Sequence, residues 1–494
     1  MKGAPAMSAT RGLALVILVA LVGGSASSSR GDDDPLDDPW RPAYHFTPPA
    51  GWMNDPNGLI QYRGEHHLFY QHHPFGVDWG PMHWGHAVSR DLVRWRHLPI
   101  ALAPDPTGPD AGGCFSGSAV DEGGVLNLVY TGHGPRQVQC LATSPDGRVF
   151  HKDAGNPVVG GPPEGYPPAD FRDPKVFRDG DVWRMVLGTE REGRGRVLLY
   201  ESRDLRSWRF VAEAAASDGR LGGMWECPDL FPIGNRHVLL VSTTSDRKVM
   251  ALIGTLGADG RMAVESDRPA DWGFDFYAAQ SYRDDAGRRV VIGWMESWAS
   301  KAWPTKAYGW AGAMSLPRTV RLGDDGSSIW EPVAEVESLR GAPVPVASRA
   351  IPPGRAQVLS DIAGDALEIE AVLEPRAASA VALLVRRSAD GAEGTRIVYD
   401  SGRSALGVDR THAGVGDGGV HEAPLRLGSD GLLRVRVFVD RSSVEVFAGE
   451  GRVVITDRIY PAPTSLGVAL EAEGGEARLV SLTAWPLADV STAW

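Results

Sequence analysis

The chain has 494 residues, of which 43% are hydrophobic and 23% charged, a length that exceeds one hydrophobic core and predicts at least two domains. Lysine and arginine total 50 against 62 aspartate and glutamate, which gives a net charge of −12 without any basic cluster. This balance argues against nucleic acid or an anionic membrane surface as a partner, and it favours a neutral substrate.

The N-terminus has the pattern of a secretory signal peptide. Lys2 and Arg11 precede an apolar run at 13–24, and small residues suited to cleavage near Ala26 follow it. The run is too short to span a bilayer, which needs about 20 residues. We therefore predict a signal peptide at 1–26 and a secreted or periplasmic protein, with an uncleaved anchor as the alternative. Residues 27–40 are acidic and polar, as in a disordered linker.

Residues 41–335 contain five weakly similar units, which indicate a repeat architecture. The units begin at Asp55, Ser116, Asp173, Glu226 and Ala278, at intervals of 61, 57, 53 and 52 residues. Each start leads into an apolar run, a polar turn and a second apolar run, with room for about four strands in each unit. Five such units predict a five-bladed β-propeller, since a single β-sandwich needs no five similar units.

A shorter motif, Ser-x-Asp-x-x-x-aromatic, recurs three times after strand-like apolar runs. The copies are Ser89/Asp91/Trp95, Ser144/Asp146/Phe150 and Ser202/Asp204/Trp208. Both short polar side chains can hydrogen-bond to the backbone of a turn, so each copy predicts a hairpin.

The composition changes near residue 340. Of the 16 tryptophans, only Trp485 and Trp494 lie beyond it, and all three cysteines lie before it. Alternating runs at 433–439 and 443–447 flank Asp440-Arg-Ser, which reads as a hairpin turn. We predict a linker at 336–352, with a short helix near 332–340, and an all-β sandwich at 353–494.

Three of the five unit starts carry acids in turn-forming contexts. Residues 52–58 read Trp-Met-Asn-Asp-Pro-Asn-Gly, residues 171–174 Phe-Arg-Asp-Pro and residues 225–229 Trp-Glu-Cys-Pro-Asp. Equivalent positions of successive blades converge on the channel of a propeller, so Asp55, Asp173 and Glu226 are expected in one pocket. Carboxylates around a sugar-sized hole suit glycoside hydrolysis, and their mutual repulsion would raise the proton affinity of one of them.

Each motif also has a simpler interpretation. Asp-Pro-Asn-Gly alone is a good β-turn, and Arg-Asp-Pro alone suits a surface turn with an ion pair. Only their recurrence in phase with the repeat favours a site. The histidines at 66, 67, 72, 73, 83 and 86 invite a metal interpretation, but strand alternation places neighbours on opposite faces and no Cys ligand pair accompanies them. Cys227 has no nearby His in sequence and is expected to be a packing residue; the three cysteines can form at most one disulfide.

These motifs, together with Phe-Ser-Gly-Ser at 115–118, resemble glycoside hydrolase family 32, which includes invertases, levanases, inulinases and fructan β-fructosidases. The resemblance runs from about Tyr44 to Trp494, including the segment 438–447. It implies a five-bladed propeller followed by a β-sandwich, in agreement with the repeats.

Carried over motif by motif, the resemblance assigns roles. Asp55 would be the nucleophile on the fructosyl anomeric carbon, Glu226 the general acid/base, and Asp173 the residue that binds sugar hydroxyls and stabilises the transition state. The fructose subsite would be lined by Asn54, Gln71, Trp79, Phe115, Ser116, Arg172 and Trp310. Segments 80–89, 223–231 and 275–280 look closest to the exo-acting levanase and inulinase branch.

Three positions depart from the family pattern. Cys114 stands where an aliphatic residue is usual, residues 295–298 replace an Asn-rich stretch, and Ala311 stands where that branch often has Arg. The last two lie where the leaving-group side would be shaped, so they bear on substrate preference.

The sequence therefore predicts a secreted, retaining exo-β-fructosidase acting on levan, inulin or sucrose, without a metal or other cofactor. A fructosyltransferase would use the same acids with a sugar as acceptor. A catalytically silent, carbohydrate-binding propeller is the third possibility, which the presence of all three acids disfavours. The expected partner is the fructan or sucrose substrate, with no nucleic acid and no membrane once the signal is cleaved; the sequence leaves the oligomeric state open.

Overall fold

The computed structural model describes residues 38–491, so the predicted signal peptide lies outside the described residues. Strands dominate this part of the chain, and they form seven sheets. No helix among the described residues is both long and apolar enough to cross a membrane.

Five of the sheets are the blades of a propeller, and the first four blades are each built around four consecutive strands. Blade one contains β1 (Gly51–Tyr62), β2 (Glu65–His73), β3 (His83–Ser89) and β4 (Trp95–Leu102). Blade two contains β5 (Gly113–Glu122), β6 (Val125–His133), β7 (Gln137–Ser144) and β8 (His151–Lys152). Blade three contains β9 (Phe171–Asp179), β10 (Val182–Arg191), β11 (Arg194–Ser202) and β12 (Arg209–Ala216). Blade four contains β13 (Trp225–Ile233), β14 (Arg236–Thr243), β15 (Val249–Leu256) and β16 (Met262–Pro269).

Blade five contains the insertion that closes the ring. Its strands are β17 (Tyr277–Arg283), β18 (Arg289–Trp294), β20 (Arg318–Leu322) and β21 (Ser328–Pro332). Between β18 and β20 lie a 3₁₀ helix (Pro304–Tyr308) and the short strand β19 (Trp310–Ala311). β19 pairs in parallel with β1, matching Gly51 with Trp310 and Trp52 with Ala311. The innermost strands β1, β5, β9, β13 and β17 contact one another in ring order, and β17 returns to β1.

The Ser-x-Asp motifs form the predicted turns between the third and fourth strands of blades one to three. The Ser89 hydroxyl donates to Asp91 Oδ1 at 3.1 Å, and the Arg94 N–H donates to the same oxygen at 2.8 Å. The corresponding serine-to-aspartate bonds are 2.8 Å at Ser144 and 3.0 Å at Ser202. The turns recur because the short acceptor satisfies the N–H groups that the bend leaves without strand partners.

The last two sheets form a β-sandwich. One sheet has the order β22-β34-β25-β30-β31-β32, with β23 also paired to β34, and the other has the order β24-β33-β26-β27-β28-β29. The strands are β22 (Val344–Val346), β23 (Arg349–Ile351), β24 (Gln357–Ala363), β25 (Leu367–Glu374), β26 (Ala380–Arg387), β27 (Gly394–Asp400), β28 (Ala405–His412), β29 (Val420–Pro424), β30 (Leu433–Asp440), β31 (Ser443–Ala448), β32 (Val453–Arg458), β33 (Gly467–Glu473) and β34 (Ala477–Pro486). Asp440 pairs with Ser443 across the predicted hairpin. The prediction of an all-β chain with a five-bladed propeller and a sandwich is confirmed.

The segment predicted as a linker is more ordered than expected. A 3₁₀ helix (Ala334–Leu339) follows blade five, and β22 and β23 lie inside residues 336–352, paired with β34 of the sandwich. Three residues per strand are too few to show an alternating pattern in the sequence, so the pairing could be found only in the fold.

The propeller and the sandwich share a buried polar boundary. His45, in the segment before blade one, contacts Asp440 at 2.8 Å and Glu445 at 2.9 Å. Arg318 of blade five donates to Asp271 at 2.7 Å and also to Glu445. All five side chains are buried, and each charge has a partner of opposite sign, which buried ions require.

Candidate active site

A β-bulge near the start of each innermost strand turns side chains into the channel. On these strands the pairing register shifts between Met53 and Pro56, Phe115 and Gly117, Arg172 and Lys175, Glu226 and Asp229, and Tyr277 and Gln280. Three non-glycine residues at these bulges, Asp173, Cys227 and Ala278, have φ of 64°, 47° and 51°. Bulges re-aim side chains and are common beside active sites, and left-handed non-glycine residues are strained.

Asp55, Asp173 and Glu226 line one cavity of about 540 Å³ at the channel entrance. They come from β1, β9 and β13, so each acid belongs to a different blade. The other lining residues are Asn54, Gln71, Trp79, Phe115, Ser116, His133, Gln137, Arg172, Arg247 and Trp298. Larger cavities of about 780, 610 and 600 Å³ contain none of the three acids, and the first two lie between propeller and sandwich.

Asp55 is held by two donors that favour its ionised form. The Ser116 hydroxyl donates to Oδ2 at 2.6 Å, and the Asn54 amide donates to Oδ1 at 2.9 Å. Asn54 is in turn fixed by the Trp52 indole N–H, which donates to its oxygen at 2.7 Å. Burial nevertheless raises the pKa of Asp55, with the charge of Glu226 acting in the same direction.

Asp173 lies deepest and is 4% exposed. Its Oδ2 accepts a hydrogen bond of 2.9 Å from the Cys227 N–H, and its own N–H donates to Thr131 Oγ1 at 3.0 Å. Burial raises the pKa of Asp173 to about 7, and the neighbouring carboxylates of Asp55 and Glu226 add to the effect. Asp173 therefore has a raised proton affinity, with burial as the main cause and repulsion from the two neighbouring acids as a smaller one.

Both carboxylate oxygens of Glu226 accept hydrogen bonds. Arg172 donates to Oε1 at 2.9 Å, and the Tyr277 hydroxyl donates to Oε2 at 2.6 Å. Burial alone would lower the pKa of Arg172, but the carboxylates of Glu226 and Asp173 raise it, so the guanidinium stays charged. Arg247 reaches Glu226 Oε2 at 3.7 Å from the loop after β14. The side chain therefore has a fixed orientation while 18% of it remains exposed.

The structure brings nine of the ten predicted site residues to the cavity. Gln71 donates to the Cys114 carbonyl at 2.9 Å, and Trp79 is 48% exposed beside Phe115, with ring centroids 6.0 Å apart. Trp310 is the exception: it was predicted to line the fructose subsite, and this placement is corrected. Its side chain is fully buried, since the Arg41 guanidinium lies 4.4 Å and that of Arg458 5.9 Å from its ring, and it is not among the cavity residues.

Five residues near the acids were not predicted as site residues. His133, Gln137, Arg247 and Trp298 line the cavity, and Tyr277 contacts Glu226. His133 stacks on Phe115 with the ring centroids 4.3 Å apart, and Gln137 accepts a hydrogen bond from Arg172 at 3.1 Å. Of these, Tyr277 had a sequence signal, because it lies one position before the fifth unit start. The others come from outer strands and loops, whose positions the repeat of unit starts does not predict.

The cysteines and histidines form no second chemical centre among the described residues. All three cysteines are free and buried, and the Cys227 thiol lies 3.5 Å from both Asp55 and Asp173. Burial raises the pKa of Cys227 well above its ordinary value, as do the two aspartates, so the thiol stays protonated. His67 contacts His86 at 3.0 Å, but no group of three metal-ligating side chains converges in residues 38–491.

This arrangement can cleave an acetal. Asp55 offers a carboxyl oxygen oriented by two donors, and Glu226 offers a second carboxyl that is partly exposed to solvent and oriented by Arg172 and Tyr277. Asp173 can accept or donate a hydrogen bond to a sugar hydroxyl, and Trp79, Phe115 and Trp298 provide apolar faces for its C–H groups.

Comparison with known proteins points in the same direction. Residues 45–332 match the family model described as glycosyl hydrolases family 32 N-terminal domain, and residues 335–486 match the family 32 C-terminal model. The sucrose-6-phosphate hydrolase of Escherichia coli is 41% identical over 468 residues, covering 90% of this chain and 94% of that protein. The levanase of Bacillus subtilis is 39% identical, covering 96% of this chain and 74% of its own length. The crystal structure of exo-inulinase from Aspergillus awamori has a TM-score of 0.83 at 30% identity, covering 92% of this chain and 99% of its own.

Proposed function

The chain belongs to glycoside hydrolase family 32, and from this membership we propose that it is a retaining exo-β-fructosidase. It releases terminal fructose from levan, inulin or sucrose. Its relatives carry names that refer to sucrose 6-phosphate, levan and inulin, which supports a fructoside as the substrate class. The observation that carries the proposal is that Asp55 and Glu226 line the same cavity. Asp55 accepts a hydrogen bond from Ser116, and Glu226 accepts hydrogen bonds from Arg172 and Tyr277.

The reaction proceeds by double displacement. Asp55 attacks the anomeric carbon of the fructosyl group while Glu226 gives its proton to the leaving oxygen, so the glycosidic bond breaks as the ester to Asp55 forms. Glu226 then takes a proton from water, which attacks the same carbon and releases Asp55. Two inversions give net retention. Asp173, fixed by the Cys227 N–H, hydrogen-bonds to the sugar hydroxyls and strengthens its hold as positive charge develops on the ring.

A closed inner end of the cavity supports attack on chain ends. Two residues beyond Asp173, Lys175 contacts Asp229 at 3.0 Å, and the Ser281 hydroxyl donates to Asp229 at 3.1 Å. These side chains are buried and join blades three, four and five across the channel. A substrate can therefore enter only from the open face, and a pocket of this kind takes a terminal sugar, whereas internal cleavage needs a groove open at both ends.

Product analysis with levan, inulin and sucrose supplied separately tests the function. Hydrolysis of sucrose should give glucose and fructose in equal amounts. An excess of glucose with new oligosaccharides would instead identify a fructosyltransferase, which uses the same acids with a sugar acceptor. Binding without release of any sugar would identify a silent carbohydrate-binding propeller.

We also propose that the protein is exported to the periplasm or beyond the cell. The charged start, the apolar run at 13–24 and the small residues near Ala26 support this. N-terminal sequencing of the protein recovered outside the cytoplasm should begin near residue 27.

A further inference from the structure

Residues 295–303 form a loop that carries Trp298 from the end of β18 into the cavity. Trp298 stacks on Trp52 with ring centroids 5.8 Å apart and an angle of 26°, and it contacts Trp294 at 4.9 Å. Trp303 belongs to the same aromatic group, because its ring centroid lies 4.9 Å from that of Trp52. Because Trp52 also donates to Asn54, which donates to Asp55, the loop lies against the support of the nucleophile.

The loop has little structure of its own. Its described residues belong to no strand or helix, and its internal backbone bond runs from the Ser300 N–H to the Ser297 carbonyl at 3.0 Å. The propeller adds one backbone bond, from Met295 to Ala313 at 2.8 Å. Three further backbone contacts are local: the Ala299 N–H donates to Ser297 Oγ, the Trp303 indole N–H to the Ser300 carbonyl, and the Lys306 N–H to the Trp303 carbonyl. The sandwich holds the loop's one acid, Glu296, and the amides of Lys301 and Ala302.

The first anchor is a buried ion pair. Glu296 is 1% exposed and accepts a hydrogen bond of 2.9 Å from Arg458, which ends β32, and one of 3.3 Å from the Tyr460 hydroxyl. Arg458 is itself fixed by a bond from its Nε to the Ser442 carbonyl at 2.9 Å. Arg458 is buried as well, so moving Glu296 away would leave a buried guanidinium without its carboxyl partner, and this end of the loop is therefore fixed.

The second anchor is Asp417, in the sandwich loop between β28 and β29. Its Oδ2 accepts hydrogen bonds from two successive loop amides, Lys301 N–H at 2.7 Å and Ala302 N–H at 3.3 Å. The Asp417 loop is docked in turn, because the Val415 N–H donates to the Tyr460 carbonyl at 3.1 Å. Trp298 thus lies between two points that both belong to the sandwich.

We propose that the sandwich is part of the substrate-binding apparatus, and that Asp417 is a positioning residue that sets where Trp298 stands in the cavity. The inference rests on the proposed function, since it assigns Trp298 a sugar face as its ligand. Asp417 touches neither the acids nor the cavity, so it acts through the loop alone. Loss of the anchor should weaken substrate binding more than it slows the chemical step, because β1, β9 and β13 hold the acids independently.

The test compares Asp417→Ala with two matched variants. In Asp417→Asn the amide oxygen can still accept both N–H groups, so this variant should behave as the wild type. Asp430→Ala removes an exposed sandwich carboxylate whose bonds go only to the nearby Leu432 N–H and Arg434. KM and kcat for sucrose are measured for all four proteins, together with the hydrogen–deuterium exchange of peptides that cover 295–303.

Asp417→Ala should raise KM roughly three- to tenfold with kcat changed less than twofold, and its loop amides should exchange faster. Asp417→Asn and Asp430→Ala should match the wild type in both measurements. Unchanged exchange in Asp417→Ala, or faster exchange with an unchanged KM, would overturn the proposal. A wild-type protein that hydrolyses no fructoside would instead overturn the proposed function, and the exchange comparison would still decide whether Asp417 holds the loop.

Discussion

Ser116 Oγ lies 2.6 Å from Asp55 Oδ2, so a hydroxyl on blade two holds the assigned nucleophile on blade one. The bond favours the carboxylate and opposes the effect of burial, which raises the pKa of Asp55. The contact crosses the joint between two blades, and it makes the acidity of Asp55 depend on how the blades meet.

Ser116→Ala should therefore move the acidic limb of kcat/KM to higher pH. Without the donor the pKa of Asp55 rises further, so the carboxylate needed for attack is lost earlier on acidification. A shift of about one pH unit is expected, since one unit corresponds to 1.36 kcal/mol, close to the value of a hydrogen bond to a charged group. Ser118→Ala is the control, because that hydroxyl donates to the Pro174 carbonyl, and its pH profile should keep the wild-type limb.

Asp55→Ala should reduce turnover by at least about 10⁴-fold, because no covalent intermediate can form. Azide should restore part of the reaction and give a fructosyl azide of inverted configuration, since the small anion attacks from the vacated side. Asp91→Ala, in a surface turn of the same blade, should keep normal turnover. Near-normal activity of Asp55→Ala would remove the residue from the nucleophile role.

Glu226→Ala should affect substrates according to their leaving groups. With sucrose, kcat/KM should fall roughly 10²- to 10⁴-fold, the usual contribution of a general acid. An aryl fructoside needs little protonation and should lose far less in its first step. Glu201→Ala, which removes an exposed partner of Arg209, provides the comparison. Equal losses for both substrates would argue against the acid role.

Asp173→Asn should stabilise the protein while it lowers activity. Because burial raises the pKa of Asp173 to about 7, the folded state keeps a proton that the unfolded chain releases above about pH 4. The free energy of unfolding therefore falls as the pH rises through this window. An amide avoids that loss, so urea unfolding should show the variant more stable at pH 8, by up to about 4 kcal/mol, and no more stable at pH 4.

Asp204→Asn gives the opposite sign and serves as the reference for that experiment. The backbone N–H groups of Ser207 and Arg206 lower the pKa of Asp204 to about 2, so its charge favours the folded state above that range. This variant should be less stable than the wild type at pH 8, and the difference should disappear in acid. An Asp173→Asn variant that is less stable than the wild type at pH 8 would contradict the argument that burial raises the pKa of Asp173.

Early digests of levan or inulin should contain free fructose and a slowly shortening polymer. The first product should be the β anomer, because a carboxylate close enough to attack gives retention. Polarimetry or NMR during the first minutes, before mutarotation, measures this directly. A ladder of oligosaccharides at low conversion would exclude exo attack, and α-fructose as first product would exclude Asp55 as nucleophile.

Much of this fold could be predicted because its local signals recur. The five unit starts mark β1, β5, β9, β13 and β17, since the same bulge and turn chemistry is needed wherever a strand begins at the channel. Three acids in phase with that repeat had to meet. The hairpin at Asp440 was equally visible, as two alternating runs around a polar pair.

The remaining features depend on contacts that no local pattern records. His133, Gln137 and Arg247 reach the cavity from outer strands or loops. Trp310 is packed against Arg41 and Arg458, which are more than 140 residues away in sequence on either side, so its motif match did not reveal its burial. Asp417 lies in the other domain from the loop it holds, and only the folded chain places it there.

Blades two to four are continuous in sequence, and this has a consequence for biosynthesis. Blades two to four can complete their hydrogen bonding as soon as their own residues have been made, but blade one is completed, and the ring closed, only when β19 pairs with β1. The loop at 295–303 finds Asp417 and Arg458 later still, after most of the sandwich has been synthesised. A nascent chain therefore carries all three acids long before its pocket is complete, and a ribosome-bound intermediate that ends before residue 458 should be folded in part yet bind a fructoside more weakly than the finished protein.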